Sequence, residues 1–221
     1  HLGPGSPEVA ATLQELGVAY RTLGRPTASL DAQRAAADIL ATLPPHHDQY
    51  RFLPHVLNQI GNALDAQGDK VGAIEAYERA LALFESTGFP DDPVVGSALH
   101  NIGLSLRSAG RLEESLPYLH RALAHTRRTL GESSTDFETQ ASTLGRVYGQ
   151  LRRFDEAEEY AQLALSTAEE LYGTSHQWYA YNLVNLGRLR QLQDRHADAL
   201  TLLGRAVAIY RETFGPYPVS Y

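Results

Sequence analysis

The chain has 221 residues, a formal net charge of −7 and no cysteine, and 43% of its residues are hydrophobic. The acidic balance argues against general nucleic-acid binding, because phosphate contacts need clustered cations, and the lack of cysteine excludes a disulfide framework, a thiolate zinc site and a cysteine nucleophile. No stretch approaches the roughly 18 apolar residues of a membrane-spanning helix, so we expect no membrane partner.

A pattern of small residues recurs along the chain. Five times, a glycine is followed twelve residues later by serine or alanine and nineteen residues later by alanine. The five sets are Gly17, Ser29, Ala36; Gly61, Ala73, Ala80; Gly103, Ser115, Ala122; Gly145, Ala157, Ala164; and Gly187, Ala199, Ala206. Successive glycines lie 44, 42, 42 and 42 residues apart. This self-similarity predicts an array of one repeated structural unit.

Each repeat is predicted to contain two helices joined by a turn. In the second repeat, Leu57, Ile60 and Leu64 form an apolar stripe with the spacing of one helix face, and a second stripe follows after the turn. A glycine in the turn can adopt the left-handed conformation that ends a helix. These glycines are Gly24, Gly68 and Gly110, and Arg152 and Asp194 replace them in the last two repeats. The recurring small residues are expected where the paired helices cross, because they let the helix axes approach closely.

Residue types also indicate where helices start. Ser6-Pro7 and Asp92-Pro93 each place an N-cap residue before a proline at the first helical position. Thr135 with Glu138 has the spacing of a capping box. First helices should therefore begin at these three places.

This pattern resembles the tetratricopeptide repeat, which has a small residue, then Ala or Ser twelve positions later, then Ala after seven more. The likeness covers nearly the whole chain, and the unit of about 42 residues exceeds the 34 of the standard repeat. Segments such as Phe154-Asp155-Glu156-Ala157 and Ala206-Val207-Ala208-Ile209-Tyr210 look like the long-helix class of kinesin light chains and many bacterial repeat proteins. The resemblance implies an all-α, right-handed α-solenoid of five helix-turn-helix repeats with ten main helices.

The expected repeats of this single domain span residues 6–46, 47–91, 92–133, 134–175 and 176–214. A second glycine column that includes Gly131 and Gly173 continues at Gly215, so residues 215–221 are predicted to open a sixth repeat. Leu2-Gly3-Pro4 resembles the end of a preceding repeat. We therefore expect the full protein to contain a longer array.

The resemblance also implies that the first helices line a concave groove. Arg146 and Arg188 stand one residue past the repeated glycine and Arg107 four residues past it, so three guanidinium groups should face this groove. Polar residues on the same helices are Asn58, Gln59, Asn62, His100, Asn101, Tyr181 and Asn185. Amides can bond to an extended peptide backbone and arginine can hold a carboxylate, so this set suits an acidic peptide. The alternative is that these side chains are ordinary solvated groups.

No set of residues has the spacing of an active site. His46-His47-Asp48 follows two prolines and is expected to be a solvated loop rather than a metal site. Glu113-Glu114 and Glu158-Glu159 lie on second helices and are interpreted as outer-face charges. Trp178, the single tryptophan, is expected to pack at a junction. We therefore predict no enzyme activity, no cofactor and no metal.

The sequence thus favours a non-catalytic, cytoplasmic interaction scaffold that binds a protein or peptide in its groove and can self-associate through the ends of the array. A second reading stays open, in which the chain is a regulatory or sensory arm of a larger bacterial signalling protein. Such a protein would be a kinase, a transcription regulator or a nucleotide-binding switch. The repeats do not identify the partner, because one scaffold serves many functions.

Overall fold

The computed structural model of the protein describes residues 5–215, and all regular secondary structure in this range is helical. Its ten α-helices are α1 (Pro7–Thr22), α2 (Pro26–Ala41), α3 (Leu53–Gln67), α4 (Lys70–Ser86), α5 (Pro93–Ser108), α6 (Leu112–Thr129), α7 (Thr135–Gln150), α8 (Phe154–Tyr172), α9 (Gln177–Leu192) and α10 (His196–Phe214). A 3-10 helix, Tyr50–Phe52, precedes α3. The predicted all-α architecture is confirmed for the described range. The expectations about Leu2-Gly3-Pro4 and about residues 216–221 lie outside the described residues.

The starts of two first helices differ in how well the sequence indicated them. Asp92 caps α5 as predicted, since its Oδ1 accepts a hydrogen bond from the Val94 N–H at 2.9 Å. The capping box predicted at Thr135 and Glu138 is wrong. Ser134 caps α7 instead, because it has the extended backbone of an N-cap and its Oγ accepts from the Phe137 N–H at 3.3 Å.

The turns inside the repeats keep one backbone conformation although their residues change. Gly24, Gly68 and Gly110 have φ values of +67°, +88° and +77°, as expected for glycines that end a helix. Arg152 and Asp194 occupy the same turn position with φ +59° each. The paired helices therefore impose the left-handed turn even where the residue disfavours it.

The helices form two compact units, His1–Arg111 and Leu112–Tyr221. In unit 1, which contains α1 to α5, each helix packs on the next, and α3 also contacts the first helices α1 and α5. In unit 2, which contains α6 to α10, successive helices pack in the same way, and α7 contacts α9. Each unit thus brings first helices side by side. We call the surface that they present the first-helix face of that unit.

The recurring small residues lie where paired helices touch. A Cβ atom added to Gly61 would lie 2.4 Å from the Tyr77 ring, and one added to Gly145 would lie 3.0 Å from the Ala161 backbone nitrogen. The alanine that ends each set is buried, for example Ala164 with none of its surface exposed. The predicted crossing points are confirmed within each of the two units.

Candidate functional site

The first-helix face of unit 2 holds an arginine in a defined position. Arg146 on α7 donates from Nη1 to the Tyr181 hydroxyl on α9 at 3.0 Å, and both residues are partly exposed. This bond joins two neighbouring first helices and orients the guanidinium group. The remaining N–H groups of Arg146 make no hydrogen bond to any described residue and stay available to a ligand.

A buried amide lies on the same two helices. Asn185 on α9 is 8% exposed, and its Nδ2 donates to the Ser142 hydroxyl on α7 at 3.0 Å. Its Oδ1 is buried and has no hydrogen-bond partner within residues 5–215. Since buried polar atoms are nearly always bonded, this oxygen is an acceptor whose capacity the described residues leave unused.

Two further side chains complete this face. Trp178 is 45% exposed, and its ring meets Tyr181 edge to face with 6.1 Å between the centroids, so the expectation that it packs at a junction is wrong. The second side chain is Arg188 on α9, which is exposed. Its guanidinium lies near Tyr210 on α10, where burial raises the pKa of the tyrosine and the positive charge of Arg188 opposes that rise. Sequence analysis did not include Trp178 in the site, although its spacing of three from Tyr181 on one helix indicated a shared face.

The first-helix face of unit 1 is a closed hydrogen-bond network. Asn62 Oδ1 accepts from the Tyr77 hydroxyl at 2.9 Å and from Asn101 Nδ2 at 3.0 Å. One carboxylate oxygen of Asp65 accepts from Ser105 and from the Lys70 ammonium, both at 2.8 Å. A pocket of about 300 Å³ borders this network. The predicted amides Asn62 and Asn101 therefore bond to each other rather than facing solvent freely.

The other predicted residues of unit 1 differ in their surroundings. Asn58 is 4% exposed, with a buried Oδ1 that lacks a partner among the described residues. Burial lowers the pKa of His100 to about 4, so His100 is neutral near pH 7. Gln59 accepts a bond from Asn62 at 3.3 Å. Arg107 is partly exposed. Within its repeat it lies one helical turn further along the first helix than Arg146 and Arg188 do in theirs, so it occupies a different position of the repeat.

Glu158, one of the carboxylates interpreted as outer-face charges, has a structural role. Glu158 on α8 binds Arg190 on α9 through two bonds of 2.5 and 2.6 Å. The hydrogen bonds from Arg190 hold the pKa of Glu158 below its usual value. In the described part of the chain, no three His, Cys, Asp or Glu side chains gather as metal ligands, and no helix is long and apolar enough to cross a membrane.

Models of known families match most of the chain. Those described as tetratricopeptide repeat match residues 9–48, 54–86, 95–136 and 137–212. The chain belongs to the tetratricopeptide repeat family. Proteins with these repeats generally mediate protein–protein interactions and are generally non-catalytic scaffolds.

Individual relatives narrow the class of tetratricopeptide repeat. Protein KINESIN LIGHT CHAIN-RELATED 2 of Arabidopsis thaliana is 25% identical over 209 residues, which make up 90% of this chain and only 31% of that relative's length. A structure of kinesin light chain nearly identical TPR-like repeats from Podosopora anserina has a TM-score of 0.79 at 20% identity and covers 96% of this chain and 99% of that one. BtubC (BKLC) from P. vanneervenii gives 0.77 at 19%, with coverage of 97% and 94%. The predicted likeness to kinesin light chain repeats is confirmed.

Proposed function

We propose that this tetratricopeptide repeat protein is a non-catalytic scaffold that binds an acidic protein segment on the first-helix face of unit 2. The observation that carries the proposal is the partly exposed Arg146, which the Tyr181 hydroxyl orients on this face with N–H groups left unbonded. A guanidinium group recognises a carboxylate through paired N–H donors, and an acidic side chain of an extended peptide offers that carboxylate. Asn185 on the same helices stays a predicted contact.

Neighbouring residues support the same ligand class. Arg188 is exposed and has no hydrogen-bond or ion-pair partner in the described range, so it adds a second cation on this face. Trp178 offers an exposed ring against which an apolar side chain of the peptide can pack. His100, Asn58, Asn62, Asn101 and Arg107 stay a separate prediction for the first-helix face of unit 1, where Asn62 and Asn101 bond to each other. The neutral His100 there adds no positive charge to that face.

A binding measurement tests the proposal. Peptides are selected against the whole chain from a random display library and then titrated by isothermal calorimetry. We expect acidic residues among the selected peptides, and we expect Arg146→Ala to weaken binding by about 1–3 kcal/mol because a charge-assisted hydrogen bond is lost. Arg146→Lys should not restore it, since an ammonium cannot form the two-point fork. Affinity should also fall as salt rises.

The matched control changes exposed arginines on second helices. Arg121→Ala with Arg211→Ala removes two positive charges from α6 and α10, where neither side chain has a partner among the described residues. If this control weakens binding as much as Arg146→Ala with Arg188→Ala, general charge rather than the first-helix face governs binding. Selected peptides without acidic residues would also contradict the proposal.

A second candidate is a regulatory arm of a larger signalling protein that self-associates. An exposed apolar stripe on α10 favours the self-association. Leu200, Val207 and Phe214 there are 73%, 46% and 50% exposed. Sedimentation of the parent and of Val207→Glu tests it. Association that the substitution abolishes supports the candidate, and a monomeric parent excludes self-association through this stripe.

A further inference from the structure

A cleft separates two second helices of unit 1. It lies between α2 and α4 and has a volume of about 490 Å³. Its bottom is lined by three residues of α3, which are Leu57, Ile60 and Leu64. These three side chains are buried in the core, and their upper surfaces form the bottom of the cleft. The volume is in the range of about 300–1,000 Å³ that small-molecule sites occupy.

Two alanines keep this cleft open. Ala37 on α2 and Ala76 on α4 line it, and the corresponding positions of unit 2 carry Leu165 and Leu202. Both leucines pack against the core cluster that contains Leu183. Each alanine lacks three carbon atoms relative to leucine, so unit 1 leaves a space where unit 2 places side chains.

Two arginines stand on opposite walls of the cleft. Arg34 comes from α2 and Arg79 from α4. The second repeat follows the first by 44 residues, so Arg79 on α4 corresponds to residue 35 on α2. Arg34 and Arg79 therefore lie at nearly the same position along their helix axes. Both side chains are exposed, and neither has a hydrogen-bond or ion-pair partner among the described residues.

The acidic residues of the cleft form no ion pair with these arginines in the described part of the chain. Asp38 and Glu75 lie one turn away on α2 and α4, at the spacing of a helical ion pair, yet neither forms one within residues 5–215. Asp69 is engaged elsewhere, since its carboxylate accepts from the Gly72 N–H at 2.9 Å and caps α4. The cleft therefore contains two arginines, Arg34 and Arg79, that have no ion-pair partner among the described residues. They lie at a similar position along the cleft, and one carboxylate flanks them on each side.

We propose that this cleft binds an organic monoanion with an apolar body. Arg34 and Arg79 hold the carboxylate, sulfonate or phosphate head group, because guanidinium groups match these oxyanions with paired N–H donors. The apolar body lies over Ile60 and Leu64, in the space that Ala37 and Ala76 leave. Asp38 and Glu75 repel a second negative charge, so a single charged end is preferred. This site is on second helices and is independent of the peptide face proposed above.

The test uses the whole chain and a fluorescent anion, anilinonaphthalene sulfonate, with dodecanoate and dodecyl phosphate as competitors. We expect Arg34→Gln with Arg79→Gln to weaken dye binding by about tenfold or more through loss of the charge-assisted bonds. Ala37→Leu with Ala76→Leu, which installs the residues of unit 2, should abolish binding by filling the cleft. The two competitors distinguish a carboxylate from a phosphate head group. Dodecanol, which lacks the charge, should not displace the dye.

Matched variants decide where the dye binds. Arg121→Gln with Arg211→Gln removes the same charge from exposed positions and should leave the affinity unchanged. The proposal is overturned if neutral phenylnaphthylamine binds as tightly as the sulfonate, or if the filled cleft binds the dye with parental affinity. It is also overturned if Arg146→Gln with Arg188→Gln removes binding, because the dye then sits on the peptide face. Should the filled variant fail to fold, the arginine pair still decides between these outcomes.

Discussion

Equivalent positions on neighbouring helices carry opposite chemistry in the two units. Leu30 on α2 and Leu64 on α3 are 5% and 8% exposed in unit 1. The matching positions of unit 2 hold Glu158 and Arg190, which form the two-bond ion pair between α8 and α9. The repeated small residues are kept in both units, whereas the residues at these two positions are apolar in one unit and charged in the other.

The equivalent first helices α3 and α9 differ in the contacts of the aromatic pair near their starts. Phe52 and His55 are near neighbours in unit 1, and His55 lies 3.3 Å from the Asp92 carboxylate and edge-on to a buried phenylalanine ring. The matching aromatic pair in unit 2 is Trp178 and Tyr181, with Trp178 exposed and Tyr181 bonded to Arg146. Phe52 and Trp178 are similarly exposed, at 38% and 45%, so the units differ in the partner of the second residue, which is a carboxylate for His55 and the Arg146 guanidinium for Tyr181. This difference directs the peptide proposal to unit 2.

The largest expected effect comes from separating the ion pair. Glu158→Ala should lower the free energy of unfolding by about 2–4 kcal/mol, because it leaves the largely buried Arg190 guanidinium without a counter-charge and with only the neutral Gln193 as partner. The side chain of Arg190 is 9% exposed and that of Glu158 is 30% exposed. The double change Glu158→Leu with Arg190→Leu copies unit 1 and should be close to neutral. Denaturant titrations measure both variants, with Glu159→Ala as the silent control, and a double variant as unstable as the single would contradict the equivalence.

Overpacking a helix crossing should cost somewhat less. Ala164→Leu forces a larger side chain into a fully buried position between α7 and α8 and should destabilise the protein by roughly 1–3 kcal/mol. Ala122→Leu should do the same on α6. Thermal melts compare them with the parent. An unchanged melting temperature for Ala164→Leu would show that the repeated alanine does not mark a tight crossing.

Acid should act on unit 1 through His100. Burial lowers the pKa of folded His100 to about 4, whereas the unfolded residue titrates near pH 6.5. The unfolded chain binds the proton more readily, so this contribution to stability is complete above pH 6.5 and is lost as pH falls towards 4. The loss should be roughly 1–3 kcal/mol from this single group. Melts of the parent and His100→Gln between pH 4 and 7 measure it, and parallel pH profiles would refute the assignment.

The smallest effect concerns the turns that differ between the units. Arg152→Gly should raise the free energy of unfolding by roughly 0.5–1 kcal/mol, because glycine adopts positive φ without strain. Asp194→Gly should act in the same direction. The converse change in unit 1, Gly68→Arg, should destabilise by a similar amount. Melting temperatures that move in the same direction for Arg152→Gly and Gly68→Arg would contradict the shared turn geometry.

The sequence by itself determined the repeat, the helix pairs and the crossing points. A small residue at a helix crossing is a local requirement that recurs with the repeat, so Gly61 and Ala164 reveal their role by position alone. The same reasoning located the turns correctly even at Arg152 and Asp194, because the flanking helices dictate the backbone there. It located the start of α7 and misassigned only its N-cap by one residue, since Ser134 and Thr135 are both good caps and only the backbone selects between them.

Tertiary structure alone decided which polar residues are available to a ligand. The sequence predicts that the amides of Asn62 and Asn101 are both available to a ligand, yet the two residues, 39 positions apart, bond to each other. Glu158 reads as a solvated charge, and its partner Arg190 comes from 32 residues further along the chain. Arg146 is oriented by Tyr181, which lies 35 residues away. Such partners meet only when neighbouring helices pack, because a local pattern specifies the face that a residue occupies and not the side chain that it meets there.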